Sequence, residues 1–180
     1  MNKDNYKKGF THKKIRNFSG GFTLIELLVV IAIISLLFSV VLSSLNSARS
    51  KSRDAYRKTQ LKQIQVALEL YRNSNSAYPV GGWYSSESGD LNSNNGGNWI
   101  PGLSPTYISA LPKDPRGGDS LICAGGWKSS FHYYSSDGNN YKLLSHCAPE
   151  GTMSANDSFY DPVRPGHAWM ICSGGTACST

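Results

Sequence analysis

The sequence predicts an α+β fold: a long N-terminal α-helix, its apolar half long enough to span a membrane, with a small C-terminal antiparallel β-sheet head packed on its C-terminal half. Three observations carry this prediction. Residues 22–42 form an apolar run whose only charge is Glu26. Beyond that run no Gly or Pro interrupts the chain until Pro79, and Leu61, Ile64, Leu68 and Tyr71 follow one another in steps of three and four, which places them on one helix face. From Ala77 onward the composition changes to short β-prone runs separated by Gly, Ser, Asn and Pro clusters.

Four regions follow. Residues 1–21 carry Lys3, Lys7, Lys8, Lys13, Lys14 and Arg16 against Asp4, a net of +5 without apolar periodicity. This is the pattern of a basic cytoplasmic leader rather than of folded structure. An ordinary secretory signal has a shorter apolar core, about 7–15 residues, and is cut after it. Residues 22–42 are the transmembrane helix: about 20 apolar residues at ~1.5 Å each cross a bilayer core. Residues 43–74 continue the helix amphipathically, with seven basic and two acidic residues, and 75–180 form a loop-rich β head of net charge −3. Removing 1–21 takes the formal charge from +6 to +1, so the basic balance describes the leader and predicts no specific nucleic-acid partner.

Glu26 is the residue that the apolar run must explain. A carboxylate at membrane depth costs about 2.5 kcal/mol or more even on lenient insertion scales. Placed near a helix N-terminus it is favoured by the macrodipole. At membrane depth such a charge is better tolerated when it pairs with a cation, which converts two buried charges into a pair. The alternative is a Glu resting at headgroup level without a role.

The stretch Gly20-Gly21-Phe22-Thr23-Leu24-Ile25-Glu26-Leu27 behind a basic leader resembles the N-terminal signature of type IV prepilins and type II secretion pseudopilins. The resemblance implies cleavage between Gly21 and Phe22 by a prepilin peptidase, N-methylation of Phe22, and polymerisation through the helix; the new Phe22 amine would lie one turn from Glu26, and Glu26 of one subunit could pair with the Phe22 amine of a staggered neighbour. It implies as partners the peptidase, further copies of the chain, a pilus or secretion assembly machinery and the inner membrane. The location it implies is a single-pass inner-membrane protein with an exported head, and a periplasmic or surface filament after assembly. Many type IV pilins carry a Pro about 21 residues after the cut; Ser43 stands there.

A helix from Phe22 to about Asn73 would end at Asn73-Ser74-Asn75-Ser76 before Pro79. Val66 and Leu70 lie off the apolar stripe, as suits a helix with the head on one side and a filament core on the other. In the head, strands are expected at about Phe131–Ser135, Tyr141–Ser145 and Ala168–Cys172, the first two joined by a turn through Asp137-Gly138. Gly81-Gly82, residues 92–97 and Asp114-Pro115-Arg116-Gly117-Gly118 are assigned to loops. The order Tyr78-Pro79, Leu111-Pro112-Lys113-Asp114-Pro115 and Tyr134-Ser135-Ser136-Asp137-Gly138 also resembles the major pseudopilins, which often bind calcium after the last motif. Calcium takes about six to eight oxygens, whereas Asp137 is the one charged donor before Asn139 and Asn140. A plain hairpin turn is the reading taken, with no metal or other cofactor.

The four cysteines, Cys123, Cys147, Cys172 and Cys178, all lie in the head, an even count on the side that would be exported. Of three pairings, Cys172–Cys178 with Cys123–Cys147 is favoured; zinc is the alternative, against which stand the absence of a CxxC and the irregular spacing. Gly118-Asp119-Ser120-Leu121 spells the motif of the GDSL esterases, whose catalytic His follows an Asp by three residues. Ser129, Leu143 and Arg164 precede His132, His146 and His167 at that spacing, so the tetrapeptide is assigned to chance and no catalytic residue is predicted. Trp83, Tyr84, Trp99, Trp127, Tyr133, Tyr134 and Trp169 are assigned mostly to the core; two or three exposed together would offer a stacking surface for a sugar. The expected function is therefore a structural subunit of a type IV pilus-like filament. The alternative is a minor pseudopilin of a secretion or DNA-uptake machine, and a membrane-anchored enzyme ranks last.

Overall fold

The computed structural model describes residues 20–87, 98–118 and 128–180. Helix α1 runs Leu24–Asn75. Strands β1 (Gly81–Ser85), β2 (Ser130–Ser135), β3 (Lys142–His146) and β4 (Ala168–Cys172) follow, and a 3-10 turn spans Gly175–Ser179. The chain divides into two compact units between Ser43 and Ser44, within α1, which is unbroken at Ser43.

In the first unit every residue from Phe22 to Leu42 is exposed, Leu24 to 83% and Leu36 to 71%. This is one helix long and apolar enough to cross a membrane. The two serines within residues 22–42 bond to their own helix: Ser35 Oγ donates to the Ile31 carbonyl at 2.7 Å and Ser39 Oγ to that of Leu36 at 2.8 Å. Both hydroxyls are thus satisfied without water, as a hydrocarbon or packed-helix environment requires.

In the second unit the apolar stripe of α1 is the core seam. Leu61, Ile64, Ala67 and Leu68 are buried and form one cluster with Phe131 and Tyr133 of β2, Tyr141 and Leu143, and Trp169 and Ile171 of β4. Trp99, Ile100, Leu103 and Leu111 complete it from the segment before β2. Alternation along β2 puts Phe131 and Tyr133 in that core and His132 and Tyr134 on the other face. Val66 and Leu70 remain exposed. The helix ends on Ser76, whose positive φ of 62° and N–H bond to the Arg72 carbonyl (2.7 Å) make a left-handed cap.

The sheet is antiparallel throughout in the order β1-β2-β3-β4. β4 occupies the expected residues; β2 begins one residue earlier than expected, and β3 is shifted by one. β1 corrects the sequence reading, which placed Gly81-Gly82 in a loop. Its register with β2 shifts between Gly81 and Tyr84, and the Tyr84 side chain folds back so that a Cβ on Gly81 would meet its hydroxyl at 2.1 Å. The glycine is there because the Tyr84 ring lies over its backbone and leaves no room for a side chain, not because the chain turns. In the β2–β3 turn Gly138 has φ 75°; its carbonyl accepts the Tyr78 N–H at 2.8 Å, a close approach that a side chain would obstruct. The proposed loop at 92–97 and the esterase-like residues 119–121 lie outside the described residues.

Candidate assembly site

At the head of the helix, Thr23 and Glu26 bond reciprocally. Glu26 Oε2 accepts from the Thr23 N–H (2.8 Å) and hydroxyl (2.7 Å), and Thr23 Oγ1 accepts the Glu26 N–H at 3.3 Å. This is a capping box, Thr at the cap and Glu three residues on. The signal for it is local, the Thr-x-x-Glu spacing of residues 23–26. Gly20 and Gly21 precede it with no neighbour within 4 Å of where a Cβ would stand, and Phe22 is 83% exposed. Among the described residues nothing crowds the candidate junction, which leads directly into a capped, exposed apolar helix.

In the second unit the same helix is fastened to the head by a buried ionic network. Arg57 is fully buried and lies one turn before Leu61 on the core stripe. Its Nε and Nη2 donate to Asp114 at 2.7 and 3.0 Å, a bidentate pair, and Nη1 reaches Asp54 (2.8 Å) and Glu150 (2.9 Å). Arg53 bonds Glu150 through Nε at 2.7 Å and again through Nη2, and Arg116 lies 3.5 Å from the same carboxylate. Among the described residues three guanidinium groups face three carboxylates here. Burial alone would push the Arg57 pKa down, but Asp114 and Glu150 outweigh it and hold the guanidinium charged. Asp114 comes from the Leu-Pro-Lys-Asp-Pro motif; its Oδ1 also accepts from Ser129 Oγ and the Arg116 N–H, both at 2.8 Å. A second fastening lies alongside, where Lys58 pairs with Asp157 and sits over the rings of Trp169 (4.6 Å) and Phe159 (5.4 Å).

The network makes the head acid-sensitive. The Arg53 hydrogen bond, followed by Arg57, opposes burial and brings the Glu150 pKa down to about 2. Because the folded value lies below the unfolded one, this stabilisation is complete above the ordinary carboxylate range and is lost as pH falls through it toward 2. Thermal melts are expected to be flat from pH 7 to about 5 and to lose up to about 3 kcal/mol from this group below that. Glu150→Gln should lower stability at neutral pH and flatten the acid limb; an unchanged acid limb would show that other carboxylates govern it.

The other predicted residues are placed as follows. Cys172 and Cys178 are bonded to each other, with Cα atoms 5.5 Å apart, and none of the described cysteines is a free thiol. Cys123 lies outside the described residues, and with it the proposed Cys123–Cys147 pairing. Asp137 is occupied locally: its carboxylate accepts from the Asn139 N–H (3.0 Å), Asn139 Nδ2 (3.2 Å) and the Asn140 N–H (3.4 Å), an Asx-type turn. Among the described residues no group of three or more His, Cys, Asp or Glu side chains is arranged to hold a metal. Trp99, Tyr133 and Trp169 are core. Trp83 and Tyr134 are half-buried on the opposite face, 5.0 Å apart, with the Arg164 guanidinium 5.3 Å from Trp83. Trp127 lies outside the described residues.

Residues 16–42 match the family described as the prokaryotic N-terminal methylation motif. The type II secretion system core protein G of Pseudomonas aeruginosa is 33% identical over 124 residues, 67% of this chain and 84% of that protein. Its counterpart in Escherichia coli is 30% identical over 142 residues, 76% and 86% of the two chains. The type IV wide pilus major component PilA4 of Thermus thermophilus is 41% identical over 58 residues, 32% and 44% respectively. No solved structure matches the chain significantly. An exposed apolar helix on a small disulfide-bonded α+β head, joined to these relatives, has one consistent identity: the chain belongs to the type IV prepilin and type II secretion pseudopilin family, as a pilin-like structural subunit and not an enzyme.

Proposed function

We propose that this chain is stored in the inner membrane through residues 22–42 with its head exported, cut after Gly21, N-methylated on Phe22 and polymerised through α1 into a pilus-like filament. The observation that carries this reading is the apolar half of α1. Every one of its side chains from Phe22 to Leu42 is exposed, and such a surface persists only in lipid or against other copies. The small, open Gly20–Gly21 junction supplies a place for a peptidase to approach.

Mass spectrometry of the membrane form tests the first step. The expected N-terminus is methylated Phe22, and Gly21→Leu should leave the leader attached. A wild-type N-terminus anywhere else would overturn the assignment of the cut.

The second reading, a subunit of a secretion pseudopilus, is favoured by the breadth of the comparisons. The core protein G relatives align over 124 and 142 residues, whereas the pilus component aligns over 58. Deleting the gene distinguishes the readings: loss of exported enzymes with surface pili intact identifies the pseudopilus, and loss of surface filaments with secretion intact identifies the pilus.

A further inference from the structure

We propose that the segment Ser173–Thr180, tethered by the Cys172–Cys178 bond, is a redox-controlled cover over a buried Lys142–Asp161 ion pair, so that opening the bond exposes the Lys142 amine without unfolding the sheet.

The placement follows from the register. Lys142, on β3, stands directly opposite Cys172, the last residue of β4, and the bond from Cys172 draws Cys178 back toward it. Lys142 and Asp161 are both fully buried. Lys142 Nζ donates to Asp161 Oδ1 at 3.4 Å, and its other two acceptors belong to the cover: the Cys178 carbonyl at 3.5 Å and the Thr180 main-chain oxygen at 2.6 Å. Arg164 reaches Asp161 Oδ2 (3.3 Å) and the Thr180 oxygen (3.1 Å), closing the cluster from the other side.

Burial pushes the Lys142 pKa down, and Asp161 only partly restores it. An ammonium in that state depends on each of its acceptors. Apart from the bond, the segment is held by the Lys142 and Arg164 hydrogen bonds to its main-chain oxygens and by contacts at Ser173 and Ala177, among them Ser173 Oγ to Asn140 Oδ1 at 3.4 Å. Ser173 exchanges hydrogen bonds with Tyr141 (3.1 and 2.8 Å), and Ala177 is buried. Without the covalent tether such a short segment belongs to the least stable part of a fold. Removing it strips Lys142 of two acceptors and admits water to the pair. Closing the cover oxidises the two thiols to one disulfide; the two electrons and two protons pass to a disulfide oxidant, which leaves as a dithiol. The head of a newly made chain would therefore be complete only after it meets an oxidising compartment.

The test acylates detergent-solubilised full-length protein with an amine-reactive ester and maps the lysines by mass spectrometry, using exposed Lys51 and Lys113 as internal standards. In the oxidised protein Lys142 should be protected. In Cys172→Ser/Cys178→Ser its labelling should rise about tenfold or more while the standards stay constant. Hydrogen exchange on the same samples should quicken over 173–180 and leave Phe131 and Leu143 slow. Labelling of Lys142 in the oxidised protein, continued protection in the double variant, or loss of slow exchange throughout β2 and β3 would each overturn the proposal, the last by showing that the bond supports the whole head.

Discussion

Arg57→Ala is expected to destabilise the head by about 3–5 kcal/mol, the range found when one partner of a buried ion pair is removed and the other is left uncompensated. Arg57 is fully buried, as is Asp114, the carboxylate it holds by two hydrogen bonds. Truncation leaves that carboxylate with Ser129 Oγ and the Arg116 N–H but no direct counter-charge on the helix. It also frees Asp54 and Glu150 to repel one another across the vacated space. Arg57→Lys should recover only part of the loss, since an ammonium cannot make the planar two-point contact with Asp114 while also reaching Glu150. Arg57→Met combined with Asp114→Leu, which removes both charges, should be far less damaging than Arg57→Ala alone. Thermal melts of the detergent-solubilised protein followed by near-ultraviolet dichroism would measure all three. A melting temperature for Arg57→Ala within a few degrees of the parent, about 1 kcal/mol for a unit of this size, would show that the network is ornamental and that apolar packing of α1 alone holds the head.

That network also marks where sequence reasoning stops. The apolar stripe Leu61, Ile64, Leu68 was legible because a helix expresses its buried face at a fixed local period, and β4 was legible because Ala168–Cys172 is a short apolar run bounded by polar residues. Arg57 sits on the same stripe, one turn before Leu61, and a cation there is a local sign of a buried pair. Its partners were not legible, because Asp114 and Glu150 lie 57 and 93 residues away and nothing in their own neighbourhoods points back to the helix. β1 was missed for a different reason. Glycines ordinarily weaken a strand, and only the fold of the Tyr84 ring over Gly81 shows why this strand uses one. The Thr23–Glu26 cap was fully encoded in four consecutive residues, and it bears directly on what Glu26 does.

Glu26→Ala is expected to leave membrane insertion and cleavage intact and to abolish filament entry. Removing a charge from a spanning helix favours insertion, so a failure to assemble could not be attributed to loss of the stored subunit. Two roles compete for this carboxylate. As the acidic half of a capping box it stabilises the first turn through Thr23, a local and modest contribution. As the partner of a neighbour's Phe22 amine it would neutralise a buried charge, and breaking such a pair leaves the amine uncompensated in an apolar contact, a far larger loss than that of a cap. Glu26→Gln separates them. A glutamine can still accept from the Thr23 N–H and hydroxyl, since the capping box tolerates it, but it carries no charge. If the pair governs assembly, Gln should fail as Ala does; if the cap governs it, Gln should assemble and Ala should fall only severalfold. Counting homopolymeric filaments against processed, membrane-bound subunit for each variant gives the answer. Wild-type filament yield from Glu26→Ala with normal processing would eliminate both roles, leaving a carboxylate at headgroup depth that the filament does not use.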